Sequence, residues 1–246
     1  MLLSALAAGG CGRPGPGGAK EPLRVAAASD LQAALPKLVE KYRAAGGGEV
    51  KVSFGASGQL AEQVRQGAPF DVFLAANRAY VDELARRGDV RPDSVRAYAR
   101  GTLVLAVPER LAGAIQTLDD LTKPEVKAIA LANPRFAPYG FAGKAALERS
   151  GLWPKVEGKV VQAESVRQAL QYVQSGNAEA ALVGRAIVEV PGVRAVAIDA
   201  TFYDPIIQGM GIVARTAQPR EAEAFARFVL GPEGQAVLAS FGFATE

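Results

Sequence analysis

From residue 23 to its end the chain alternates short apolar runs with amphipathic ones, and this alternation limits the possible folds more than any other feature. "LRVAAAS", "EVKVSFG" and "FDVFLAAN" read as strands, while "LQAALPKLVEKYRAAGG", "GQLAEQVRQG" and "AYVDELARRGDV" read as helices with glycine stops. A second series starts at "GTLVLAVP", with strands in "KAIALANP", "KVVQA" and "AEAALVG" and helices in "GKAALERSG" and "SVRQALQYVQSG". The chain then runs through "RAVAIDATFYDPIIQGMGIVAR" and closes on two helices, "PREAEAFARFVLG" and "GPEGQAVLASFGF". Strand–helix units of roughly thirty residues are the pattern of parallel strands joined by crossover helices. The reading is α/β: two such groups, plus a helical tail too short to be a domain that must pack on one of them. A chain of 246 residues can bury a good core and accommodates one or two domains.

Composition removes several classes of chemistry. There is no histidine, so His-ligated zinc, a Ser-His-Asp triad and the commonest general base are absent. One cysteine allows no internal disulfide, no thiolate cluster and no CxxC pair. A net charge of +3, with no Lys/Arg run to concentrate it, gives no reason to expect a nucleic-acid partner. The single Cys11 stands after "MLLSALAAGG", an apolar segment ending in small residues that resembles the end of a bacterial lipoprotein signal. Two features depart from that signal: no basic residue precedes the apolar part, and Ala8 stands where leucine is common. "GRPGPGGAKEP" then reads as a flexible tether. No later run reaches the ~18 apolar residues that a bilayer span requires. The expectation is a monomer outside the cytoplasm (periplasmic or at the cell surface), held to the membrane only by lipid on Cys11.

In open parallel sheets ligands bind beyond the carboxyl ends of strands, where helices begin. Four such passages carry unusual residues. Ser29-Asp30-Leu31-Gln32 fits a capping box, and Ser165-Val166-Arg167-Gln168 repeats it. "GASG" sets Ser57 among residues small enough for backbone to approach a ligand. "NPRFAPYGFAGKAAL" offers a Pro/Gly-bounded loop around Tyr139-Gly140. Taken singly, a serine before an amphipathic run is most often only a cap worth about 1 kcal/mol. Asp30 is most simply a first-turn carboxylate favoured by the helix dipole. Taken together, four helix starts aimed at one spot would bring unpaired N–H groups and a formal charge of at most about +2. That suits a dianion held by neutral donors. Asp30, as a carboxylate acceptor, would instead suit an oxyanion that keeps a proton.

At these residues the chain resembles the periplasmic molybdate-binding proteins of ABC importers. The resemblance is carried, in order, by "VAAASDLQAAL", "VSFGASGQLAEQVRQGAPFDVFLAAN", "GLWPKV", "VRQALQYVQSGNAEAALV" and "GPEGQAVLASFGF". It implies a two-lobed type II binding protein with each lobe a mostly parallel sheet flanked by helices, and an oxyanion clamped between the lobes. It implicates the side chains of Ser29 and Ser57 and the backbone at Tyr139 and Val166, with Asp30 contributing its amide while its carboxylate points away from the anion. Many members carry a tyrosine, whose hydroxyl donates to the anion, where this chain has Gly184. The resemblance therefore leaves one donor missing, and Tyr139, where many members have a small residue, offers compensation through packing or an added N–H.

The expected organisation is a leader and tether over 1–22, one lobe from 23–103 plus 205–246, and a second from 104–204, joined near 101–108 and 203–212. The expected function is capture of molybdate or tungstate for delivery to an ABC permease, with no cofactor and no enzymatic activity. A sulfate, phosphate or ferric-ion binder is the nearest rival, the last because Tyr139 and Tyr203 fall near cleft loops. A hydrolase using Ser57 or Ser29 with Lys144 as base is remote, since "GASG" is not a nucleophile elbow. A sensor domain on the same fold is opposed by the leader.

Overall fold

The computed structural model describes residues 21–244. Cys11 and most of the tether lie outside them.

Each apolar run becomes a strand and each amphipathic run a helix. The first sheet contains β1 (Leu23–Ala28), β2 (Val50–Gly55), β3 (Val72–Ala75), β4 (Arg96–Gly101) and β10 (Ile206–Ile212), in the order β2-β1-β3-β10-β4. The second contains β5 (Leu103–Pro108), β6 (Ile129–Ala132), β7 (Val160–Ala163), β8 (Ala180–Gly184) and β9 (Val193–Ala197), in the order β7-β6-β8-β5-β9. In each sheet the three strands of the strand–helix units pair in parallel, β1 with β2 and β3, β6 with β7 and β8. The two antiparallel ladders in each come from strands that enter from the other lobe or return beside one that does: β10 with β3 and β4, β5 with β8 and β9. The strand β4, which the periodicity does not announce, is one of these.

The inner strands are buried along their whole length. β3, β5, β6 and β8 carry only buried residues, as near-continuous runs of Val, Leu, Ile and Ala must when helices cover both faces. On one face of the first sheet lie α1 (Ala34–Ala44) and the closing helices α7 (Pro219–Leu230) and α8 (Pro232–Ser240), so the tail completes the first lobe. Tyr42 of α1 meets Phe225 and Phe228 of α7 edge-on at 5.2 and 5.4 Å between ring centres. On the other face lie α2 (Ser57–Arg65) and α3 (Arg78–Arg86). The second sheet is flanked by α4 (Pro138–Arg149) and α6 (Val166–Gln174), with the short α5 (Trp153–Val156) after α4. Gly88 and Gly151 end α3 and α4 at φ of 82° and 72°, a conformation in which a Cβ is strained.

The chain crosses between lobes at Gly101–Leu103 and again between Ala197 and Ile206. These crossings are tied together, since the Tyr203 hydroxyl accepts the amide of Leu103 at 3.2 Å.

Candidate functional site

The carboxyl ends of β1, β2, β6 and β7 face the boundary between the lobes, and the turns and helix starts that follow them, with Ala76 after β3, surround one cavity. Its free volume is about 10 Å³, and it is lined by Ser29, Asp30 and Ser57 from the first lobe and Tyr139 and Val166 from the second. Between these stand small residues, Gly55, Ala56, Ala76 and Ala137, and no lysine or arginine. All five named residues are nearly out of contact with solvent, Ser29 being the most accessible at 5%. The lobes close over the cavity. The Gly58 amide at the start of α2 donates to the Phe136 carbonyl before α4, at 2.8 Å.

Local structure explains each position. Ser29 and Asp30 form a single 3-10 turn, Ser29–Leu31, and the α-helix begins only at Ala34. The expected capping box therefore does not form there: Ser29 makes no side-chain cap bond, and its hydroxyl is left for the cavity. At Ser165 the cap does form. Its Oγ accepts the Gln168 amide at 3.2 Å, and Gln168 Oε1 accepts the Glu164 amide at 2.6 Å. This serine is a cap, and it leaves the first amides of α6, beginning with Val166, at the cavity wall. Ser57 is the first residue of α2, with Ala56 as N-cap, and its Oγ accepts the Ala76 amide at 2.9 Å. That bond fastens the start of α2 to the end of β3.

Tyr139-Gly140 is not a loop but the first turn of α4, with Pro138 before it. Gly140 is required there, because a Cβ would run into the carbonyl of Ala132 at the end of β6. The Tyr139 ring lies against Gly184 and Gly101, and a Cβ built on Gly184 would stand 2.8 Å from its Cζ. The space that a side chain at residue 184 would need is thus filled from residue 139.

Beneath the cavity runs a buried polar chain that joins the lobes. Gln208 of β10 donates through Nε2 to Asp30 Oδ2 at 2.5 Å and to the Tyr139 hydroxyl at 3.2 Å. Its Oε1 accepts the Tyr98 hydroxyl of β4 at 2.5 Å. Among the described residues, Asp30 Oδ1 is the buried side-chain oxygen with no hydrogen-bond partner. Burial pushes the Asp30 carboxyl up to about 6, against weaker pulls downward from Gln208, Tyr139 and the amides of Asp30 and Leu31. Burial also holds the Tyr98 and Tyr139 hydroxyls above the usual tyrosine range, and the charge of Asp30 adds to this. Gln208 was findable in sequence as the one polar residue in "PIIQGMGIV". Tyr98 left no such signal.

The hydrolase and ferric-ion readings each need one residue that lies elsewhere. Lys144 pairs with Glu148 and lies 5.0 Å from the Trp153 ring centre, while Tyr203 is buried at the crossing. No group of three or more His, Cys, Asp or Glu side chains placed to hold a metal ion occurs among the described residues.

Residues 23–244 match the model of the bacterial extracellular solute-binding proteins. The chain belongs to that family. Its members bind solutes and are not enzymes. This solute-binding protein is 31% identical over 229 residues to the molybdate-binding protein ModA of Azotobacter vinelandii, covering 90% of its own length and 89% of the relative's. It is 30% identical over 230 residues to a Bacillus subtilis ABC transporter substrate-binding lipoprotein, YvgL, covering 92% and 88%. The solved periplasmic molybdate-binding protein of A. vinelandii superposes with a TM-score of 0.84, over 91% of this chain and 99% of that one. The two-lobed type II architecture is shared.

Proposed function

We propose that this protein captures a tetrahedral oxyanion, molybdate or tungstate, outside the cytoplasm and hands it to an ABC permease. The observation that carries the reading is the shut cavity in which helix starts from both lobes converge and no lysine or arginine takes part. The Ser29 and Ser57 hydroxyls and the first-turn amides at Tyr139 and Val166 are the donors, with the Asp30 amide beside Ser29. Neutral donors and helix-end dipoles hold an anion without a counter-ion. An ion that contacts both lobes favours the closed state by as much as its affinity for closed exceeds that for open. Sulfate has the same charge and shape but shorter bonds, so donors set for the larger ion leave it short by ~1–3 kcal/mol for each hydrogen bond unmade. The relatives named for molybdate support this choice of anion. Calorimetry with molybdate, tungstate, sulfate, phosphate and ferric ion tests it: the first two bind tightly, and preference for any of the others removes the reading.

The relative named as a lipoprotein supports a lipid anchor on Cys11, with residues 12–22 as the tether that lets the monomer reach its permease.

A further inference from the structure

Asp30 is an odd residue for an anion site. Asp30 is among the residues that line the cavity, is wholly buried, and has one carboxyl oxygen held by Gln208 and the other without a hydrogen-bond partner. A carboxylate and an anion enclosed in so small a space repel strongly, and neutral donors cannot offset both. A carboxylic acid at the same place does the opposite, since its O–H becomes one more donor.

We propose that Asp30 binds the oxyanion as a neutral acid, so that each dianion captured takes one proton from solvent onto Asp30. The protein thereby samples anion and acidity together, and release is favoured where the pH is higher. This rests on the oxyanion reading above.

The surroundings leave Asp30 as the group that titrates. Facing it are Gln208 from β10, which cannot ionise, and Tyr98 and Tyr139 from β4 and α4, which burial keeps protonated. No cation is among the groups that set its protonation. Of the arginines on neighbouring elements, Arg167 of α6 lines a separate groove with Gln32, and Arg185 after β8 pairs with Glu189. The carboxyl already ionises near 6 before any anion adds its own repulsion. Proton uptake therefore falls in the neutral range. Gln208 keeps its donor on Oδ2 in both protonation states, which leaves Oδ1 as the oxygen to carry the proton.

The test is titration of the native chain with sodium molybdate in buffers of differing ionisation enthalpy at pH 7.5. About one proton is taken up per ion bound, and the Kd rises about tenfold for each pH unit above 7. Molybdate remains a dianion across this range, so the slope belongs to the protein. Asp30→Asn offers an amide donor without a charge; it takes up no proton, has a flat Kd from pH 6 to 8, and binds about a hundredfold tighter than the native chain at pH 8. Binding of molybdate to the native chain with no proton uptake overturns this proposal alone. So does an Asp30→Asn variant that binds more weakly than the native chain at pH 8. Absence of binding by molybdate and tungstate at both pH 6 and pH 8 overturns the oxyanion reading and this one with it.

Discussion

Ser57 and Asp30 show what single residues do in this protein. The Ser57 Oγ accepts from Ala76, which directs its own proton elsewhere, and the cavity is beside it. Ser57→Ala is expected to weaken molybdate binding by about 1–3 kcal/mol in calorimetry, and to lower the urea midpoint of the anion-free chain as well, because the buried Ala76 amide loses its acceptor. Asp30 acts on stability as well as on binding. Its folded-state pKa of about 6 lies above the ordinary 3.8, so its contribution is fully present below the lower value and is lost as pH rises through the upper one. Between those values the anion-free protein loses up to about 3 kcal/mol. Asp30→Asn is expected to abolish that loss, and urea unfolding of both chains from pH 4 to pH 8 measures it.

At the scale of elements, the site depends on helix starts placed at strand ends, and on one exchange between two of them. The Tyr139 ring in the first turn of α4 fills the space over Gly184 at the end of β8. Gly184→Tyr alone is expected to destabilise the second lobe by about 1–3 kcal/mol or more through overpacking. Adding Tyr139→Ala restores much of that loss, and the double-mutant cycle reads a coupling of about 1–3 kcal/mol from thermal unfolding. Additive losses would mean that the ring and residue 184 do not share the space. The small residues around the cavity serve the same end: Gly140 lets α4 sit directly on the end of β6.

At the scale of the molecule, two five-stranded sheets are joined by two crossings and meet over one cavity. The Gly58 amide reaches the Phe136 carbonyl across that boundary, and a Cβ on Gly58 would stand 3.0 Å from Phe136 Cα. Gly58→Val therefore wedges the lobes apart. It is expected to weaken molybdate binding by about ten- to a hundredfold, the factor matching ~1–3 kcal/mol of overpacking in the closed state alone. Small-angle scattering checks the cause: the native chain is more compact with molybdate than the variant is. Anchoring belongs to this scale too. Intact-mass measurement of the protein from native membranes is expected to show a chain beginning at lipidated Cys11, and an unmodified thiol there removes the anchor.

The sequence alone determined the strand–helix alternation, the boundaries of most elements and the residues at the strand ends, because these follow from local periodicity and from glycine, proline and serine chemistry. It also carried the resemblance by which the two lobes and their oxyanion are expected. It misread Ser29 as a cap and Tyr139 as a loop residue, since a 3-10 turn and an α-helical first turn accept the same short motifs. Strand β4 escaped because "RAYARG" has no apolar run of its own and is held by pairing with β10, residues far off in the chain. Only the tertiary structure decided that Gln208 and Tyr98 lie under Asp30, that Tyr139 replaces a side chain at Gly184, and that Asp30 Oδ1 is left without a partner. Each of these depends on contacts between residues about 40 to 180 positions apart, and periodicity within one segment holds no information about them.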